Sequence, residues 1–194
     1  DPAAGEADRT AWTAPDFDDQ SWKTAVGAFG SKRGNAFLEE GYTASTILDG
    51  CSGSNDYATY FFRTTFQIDS LDGMTALQGT LQHDDAAIVY INGKQVAAYD
   101  ADEITQNMQY AGVSAGTPKT QTFSVTDMSL LREGENTIAV ELHNDRASSS
   151  DIWFYLTDLH LSDEETAADQ NTLHTDPQLL IQPYSKAQKH LKRC

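Results

Sequence analysis

In the stretch LQHDDAAIVYINGKQV, Leu81 to Val96, a histidine and two aspartates stand side by side. His83, Asp84 and Asp85 are residue types that bind metals or act as acid and base. A metal would need further ligands from elsewhere in the chain, with oxygen-rich sets favouring calcium and imidazole-rich sets favouring zinc or iron. HNDRASSSD, His143 to Asp151, offers His143, Asn144, Asp145, Arg146 and Asp151. Joined with Asp84 and Asp85 in one rim, these donors and acceptors suit sugar hydroxyls, or oxygens for a structural Ca2+. The competing reading is structural, because Asp and Asn at strand ends cap backbone amides and Ser148 to Ser150 would do the same.

Catalysis has a weaker basis. Asp84 with Glu141 or Asp145 could serve a glycosidase as acid and base, yet a chain with 29 acidic residues pairs carboxylates by chance. On a strand, Glu141 and His143 share the face opposite Ile138, Val140 and Leu142, which places Glu141 toward solvent. No Gly-x-Ser-x-Gly elbow, His-Glu-x-x-His pair, phosphate-cradling loop or dinucleotide fingerprint occurs. Among the aromatics, Trp22, Phe61, Tyr90 and Phe154 read as core or anchoring residues. Trp12, Phe37, Tyr42, Tyr57, Tyr110 and Trp153 read as freer. Tyr42 and Tyr57 flank a long polar loop and are the candidates to stack on the apolar side of a pyranose.

The elements that must position these residues are strands. Short apolar-alternating runs broken by Gly, Asn, Asp and Ser recur from Tyr60 to Leu161. The predicted strands are 60–68, 75–82, 86–91, 94–99, 120–125, 136–143 and 152–161, with a single helical turn expected in the connection 101–119. Asn92-Gly93 is a two-residue hairpin turn, since both positions must take positive φ. Seven such strands predict an all-β antiparallel sandwich. If the strands flanking each loop alternate in direction, HDD, HNDRASSSD and the loop CSGSND, Cys51 to Asp56, share one end of it. Residues 163–194 read as a linker or peripheral segment beside a domain spanning 1–162, because their few apolar residues could not build a core alone.

Composition bounds the partners. Thirteen Lys and Arg against 29 Asp and Glu give a formal charge of -16, which argues against nucleic acid and anionic membranes. No apolar run is long enough to span a bilayer, and the start DPAAGEADRT lacks the basic and apolar regions of a signal peptide, as in a mature form or an excised piece. Cys51 and Cys194 are too few for a disulfide scaffold; a bridge between them would tie the last residue to an early loop. Lys186, Lys189, Lys192 and Arg193 form a small basic tail suited to the acidic domain or a neighbour.

DFDDQSWKTAVGAFGSKRG, YFFRTTFQI, HDDAAIVYINGKQV and GENTIAVELHNDRASSSDIWFYL, in that order, resemble the galactose-binding-like (jelly-roll) β-sandwich modules of secreted bacterial glycoside hydrolases, metallophosphoesterases and surface proteins. The resemblance runs from about Trp12 to Leu161 and implies a jelly roll whose acidic stretch Asp16, Asp18 and Asp19, before Trp22, locks the amino-terminal segment onto the sandwich. It further implies a non-catalytic carbohydrate-binding or accessory module, secreted or at the cell surface. Its partner would be a glycan or a neighbouring domain of the same polypeptide. Calcium is frequent in such modules, but no ligand set carries over. The alternatives are a structural spacer beside a catalytic domain and, last, a hydrolase in its own right.

Overall fold

The computed structural model describes residues 8–163, 171–172 and 178–184. In chain order the strands are β1 (Lys23–Val26), β2 (Phe29–Lys32), β3 (Phe37–Glu39), β4 (Tyr42–Thr43), β5 (Thr46–Ile47), β6 (Thr59–Ile68), β7 (Ala76–Asp84), β8 (Ala86–Ile91), β9 (Lys94–Tyr99), β10 (Lys119–Val125), β11 (Gly134–His143), β12 (Asp151–Ser162), β13 (Asn171–Thr172) and β14 (Gln178–Tyr184). Two short 3-10 turns, Ala11–Thr13 and Met128–Leu130, complete the set.

Two sheets face each other. The first runs β1-β14-β6-β11-β8-β9; the second runs β10-β7-β12-β2-β5, with β13 added to β12. Pairing is antiparallel except for the short parallel contact of β2 with β5. The predicted strands from Tyr60 onward all form, and the β-sandwich is the fold that their alternation requires. Between the sheets Phe62, Leu81, Val89, Val140 and Phe154 belong to one continuous core. Each such side chain stabilises the fold by roughly 1.5–3 kcal/mol through removal from water. Gly79 has no freedom to vary: a Cβ there would sit 2.3 Å from the Phe123 ring that crosses it.

The Asn92-Gly93 turn has φ of 47° and 86°, the positive pair expected of it. Asn92 also ties the hairpin to β11, donating to Asn136 Oδ1 at 2.8 Å and accepting from the Thr137 amide at 2.8 Å. HDD is not a hairpin loop. β7 continues through Asp84 in the second sheet and β8 starts at Ala86 in the first, so Asp85 alone carries the chain from one sheet to the other.

The central strands β6, β11 and β8 of the first sheet are largely buried on both faces, and here the sequence-based reading needs correcting. Trp12, Trp22, Phe61, Ile88, Tyr90 and Ile104 form a second apolar cluster on its outer side. Trp12 packs edge-on against Phe61, with ring centroids 4.9 Å apart, and stacks on Trp22. Trp12 is therefore core, not free. Asp19 performs the locking that the resemblance implied: its Oδ2 accepts from buried Arg63 Nε at 2.8 Å, and the same guanidinium donates to the Trp12 carbonyl. The connection 101–119 carries no helical turn; Gln109 Oε1 instead accepts from the amides of Thr105 and Gln106 and shapes it as an irregular cover. Gln178–Tyr184, in the segment expected to be peripheral, lies between β1 and β6 in the first sheet. Cys194 and the basic residues Lys186, Lys189, Lys192 and Arg193 lie outside the described residues. Cys51 is buried, which pushes its thiol up to about 12.

Candidate functional site

The three loops expected at one rim do meet there. The Asp56 amide donates to the Ala147 carbonyl at 2.9 Å, and the Asn144 amide donates to the Ala58 carbonyl at 3.0 Å. Asp85 joins the remaining pieces: its carboxylate accepts from the Asp145 amide at 2.7 Å and from the Ala115 amide at 2.9 Å. HDD and HND thus touch through Asp85 and the backbone of Asp145. His143 does not join them. As β11 alternates, His143 turns to the opposite side of the first sheet, toward Glu141.

Asp84 and Asp85 are each 2% exposed. Burial, the neighbouring Asp85 charge and a hydrogen bond between the two side chains raise the Asp84 carboxyl far above its ordinary range. Burial raises Asp85 as well, against the amides of Ala115 and Asp145 that hold it down. Such a pair keeps one proton between two carboxyls. His83 is buried beside it, its Nδ1 2.7 Å from the Asp85 carbonyl and its ring stacked on Tyr99; burial lowers its pKa. Asn144 Oδ1 and Asp145 Oδ1 are buried with no partner among the described residues. Arg146 is exposed at the rim and donates to Asp145 Oδ2 at 2.6 Å.

The two candidate tyrosines serve packing. Tyr42 stands edge-on to Trp153 at 5.3 Å and donates to the Pro118 carbonyl, fixing the β3–β4 hairpin over the second sheet. Tyr57 packs against the central core and near Tyr60, in the space that a side chain at Gly50 would occupy. Trp153, which read as freer, is 3% exposed beneath Tyr42. Among the described residues no three His, Cys, Asp or Glu side chains group as metal ligands. No described helix is long and apolar enough to cross a membrane.

A second polar centre was not foreseen. Glu141 is wholly buried, not turned to solvent as alternation on a one-sided sheet would have it. Its carboxylate accepts from Tyr90 Oη at 2.7 Å and from Arg9 at 3.0 Å, and lies 2.9 Å from His143 Nε2. Arg9 also donates to Asn107, while His143 Nδ1 lies 2.8 Å from the Gln109 carbonyl. Burial opposes the charge on Glu141, but the His143 bond, the His143 and Arg9 charges and the Tyr90 bond outweigh it and hold the carboxyl below its ordinary value. The unbroken apolar run AAIVYI was the available signal, since a strand without polar alternation is covered on both faces.

A search of curated proteins finds no match. Among solved structures the chain is similar to a Streptomyces avermitilis α-L-rhamnosidase, at 20% identity and a TM-score of 0.43, covering 71% of this chain and 12% of that one. It is also similar to a β-glucuronidase from glycoside hydrolase family 2, at 19% identity and 0.42, covering 75% and 13%. An α-L-rhamnosidase from Dictyoglumus thermophilum follows at 16% identity and 0.38, covering 61% and 13%. The chain therefore spans 12–13% of the length of these proteins. Residues 7–148 match the β-galactosidase second all-beta domain, and the chain belongs to that family.

Proposed function

We propose that this chain is a non-catalytic accessory domain of a larger, extracellular glycoside hydrolase polypeptide, set beside a catalytic domain. Membership of a β-galactosidase all-beta domain family is the observation that carries this reading. The acid residues of the chain support it. Glu141, Asp84 and Asp145, the carboxyls that could pair as acid and base, are all buried within the fold. A general acid or base must reach the glycosidic oxygen or an attacking water, and none of these side chains has a path to one.

The test is an assay of the chain alone on chromogenic galactosides, glucuronides and rhamnosides. Turnover should stay at the buffer level. Turnover above it that disappears in both Glu141→Gln and Asp84→Asn would make the chain a hydrolase and overturn the reading.

A further inference from the structure

The amino-terminal segment seals the outer face of the first sheet, and loop backbone closes over the Asp84–Asp85 rim. The outer face of the second sheet is covered by the β3–β4 hairpin around Trp153 and exposed beyond it. Strand register places Tyr155 of β12, Gln82 of β7 and Thr120 of β10 in one cross-strand row, with Thr80 and Thr122 paired in the next. Their neighbours Leu81, Phe123 and Phe154 fill the core, so alternation turns this set outward. Tyr155 is 38% exposed, and Thr120 and Thr122 are exposed.

The second row also holds Asp158 of β12, opposite Thr80, so the face carries a carboxylate, in a chain with a formal charge of -16. The Asp158 carboxylate lies 2.6 Å from His160 Nδ1. The polar groups are also held in place. Gln82 Oε1 accepts from Trp153 Nε1 at 3.2 Å, which fixes the carboxamide and leaves its NH2 to donate. Thr157 Oγ1 donates to the Thr80 carbonyl at 3.0 Å across the bulge in β12. Groups fixed before binding lose little entropy when a ligand arrives.

We infer that this face binds an uncharged oligosaccharide, laid across β12, β7 and β10. The Tyr155 ring meets the CH face of one sugar, and Gln82, Thr80, Thr120 and Thr122 exchange hydrogen bonds with hydroxyls. An aromatic face beside amide, hydroxyl and carboxylate groups matches the mixed apolar and polar surface of a neutral pyranose, whose hydroxyls both donate and accept. The acidic remainder of the molecule repels polyanions. This inference rests on the accessory-domain reading and names its ligand; the hydrolase assay tests that reading separately.

The experiment measures binding of the whole chain to galactan, xylan, mannan and maltooligosaccharide, with polygalacturonate as the charged control, by affinity electrophoresis and calorimetry. At least one neutral glycan should bind and polygalacturonate should not. Tyr155→Ala should weaken binding at least tenfold and Gln82→Ala several-fold, with unchanged thermal unfolding, while Arg146→Ala on the rim leaves it intact. Three results would overturn the inference: no neutral glycan bound; equal binding by folded Tyr155→Ala; or a dimer that Tyr155→Ala dissociates, which gives the face to a second copy of the chain. Should Gln82→Ala unfold the protein, Thr122→Val, on the exposed edge strand, replaces it as the polar probe.

Discussion

Glu141 and the Asp84–Asp85 pair are both buried carboxyl centres, and the protein neutralises them in opposite ways. Glu141 lies under the amino-terminal segment, where Arg9 reaches it from outside the sheet and Tyr90 and His143 from neighbouring positions on it. Its charge is met by charge, and its carboxyl stays below its ordinary value. Asp84 and Asp85 receive backbone amides and each other, with Asp145 and Asp151 adding negative field. That centre is neutralised by retaining a proton. Where a segment can deliver a cation to a buried carboxylate, the carboxylate becomes an anchor for that segment. Where it cannot, the carboxyl holds its loops by hydrogen bonding in a form that depends on pH.

The largest effect should come from breaking the anchored centre. Glu141→Ala leaves the Arg9 guanidinium and the Tyr90 hydroxyl without their acceptor inside the fold, a loss of about 3–5 kcal/mol. Urea unfolding at pH 7 measures it. The stability that the wild-type carboxylate adds is present above the unfolded Glu value and is lost as pH falls through the lower folded one. The variant should therefore be less acid-sensitive than the wild type. A loss below 1 kcal/mol would mean that Glu141 does not hold the segment.

The rim pair should behave in the reverse sense. Burial and Asp85 raise the folded Asp84 carboxyl to about 8 from an ordinary value of 3.8. Between those values the folded state holds a proton that the unfolded chain has released, so stability falls as pH rises, by about 1.4 kcal/mol per unit for one proton. Asp84→Asn keeps a side chain that can donate to Asp85 and removes the titration. Relative to wild type its stability should rise by roughly 4 kcal/mol between pH 5 and pH 8, because its own profile is flat over that range. Equal destabilisation at both pH values would show that the pair does not share a proton.

The same contrast explains what the sequence revealed. Strand alternation and the Asn92-Gly93 turn made the sandwich from Thr59 onward legible, because period and turn chemistry are local. The convergence of HDD with HND followed from strand direction. The side to which His143 turns did not, nor did the burial of Glu141, because both depend on a cover supplied by residues 9–22 and 101–111. Arg9 sits in a polar stretch with no periodicity, and only the folded chain brings it to Glu141. Strands β1 to β5 escaped for a similar reason: they are two to four residues long, too short for alternation to register.

A smaller effect tests the cover itself. Asp19 is partly exposed where it meets buried Arg63, and its loss leaves that guanidinium bonded to the Trp12 carbonyl. Asp19→Ala should cost about 2 kcal/mol, read by thermal unfolding, since buried Arg63 loses its carboxylate but keeps the Trp12 carbonyl and the Phe17 ring. A cost equal to that of Glu141→Ala would make Asp19, not Glu141, the principal anchor of the segment.

The smallest effect bears most directly on the comparison. Arg146 is the rim's counterpart to Arg9, since its guanidinium donates to a buried carboxylate, Asp145, at 2.6 Å. The likeness is only geometric, because the Arg146 side chain is 64% exposed and that of Arg9 is 26% exposed. Water screens the first pair, so Arg146→Ala should change stability by less than about 0.5 kcal/mol at pH 5. A loss above 2 kcal/mol at pH 5, where Asp84 keeps its proton, would make Arg146 the cation that compensates the rim. The two centres would then share one electrostatic solution, and the pH response of Asp84→Asn would need another source.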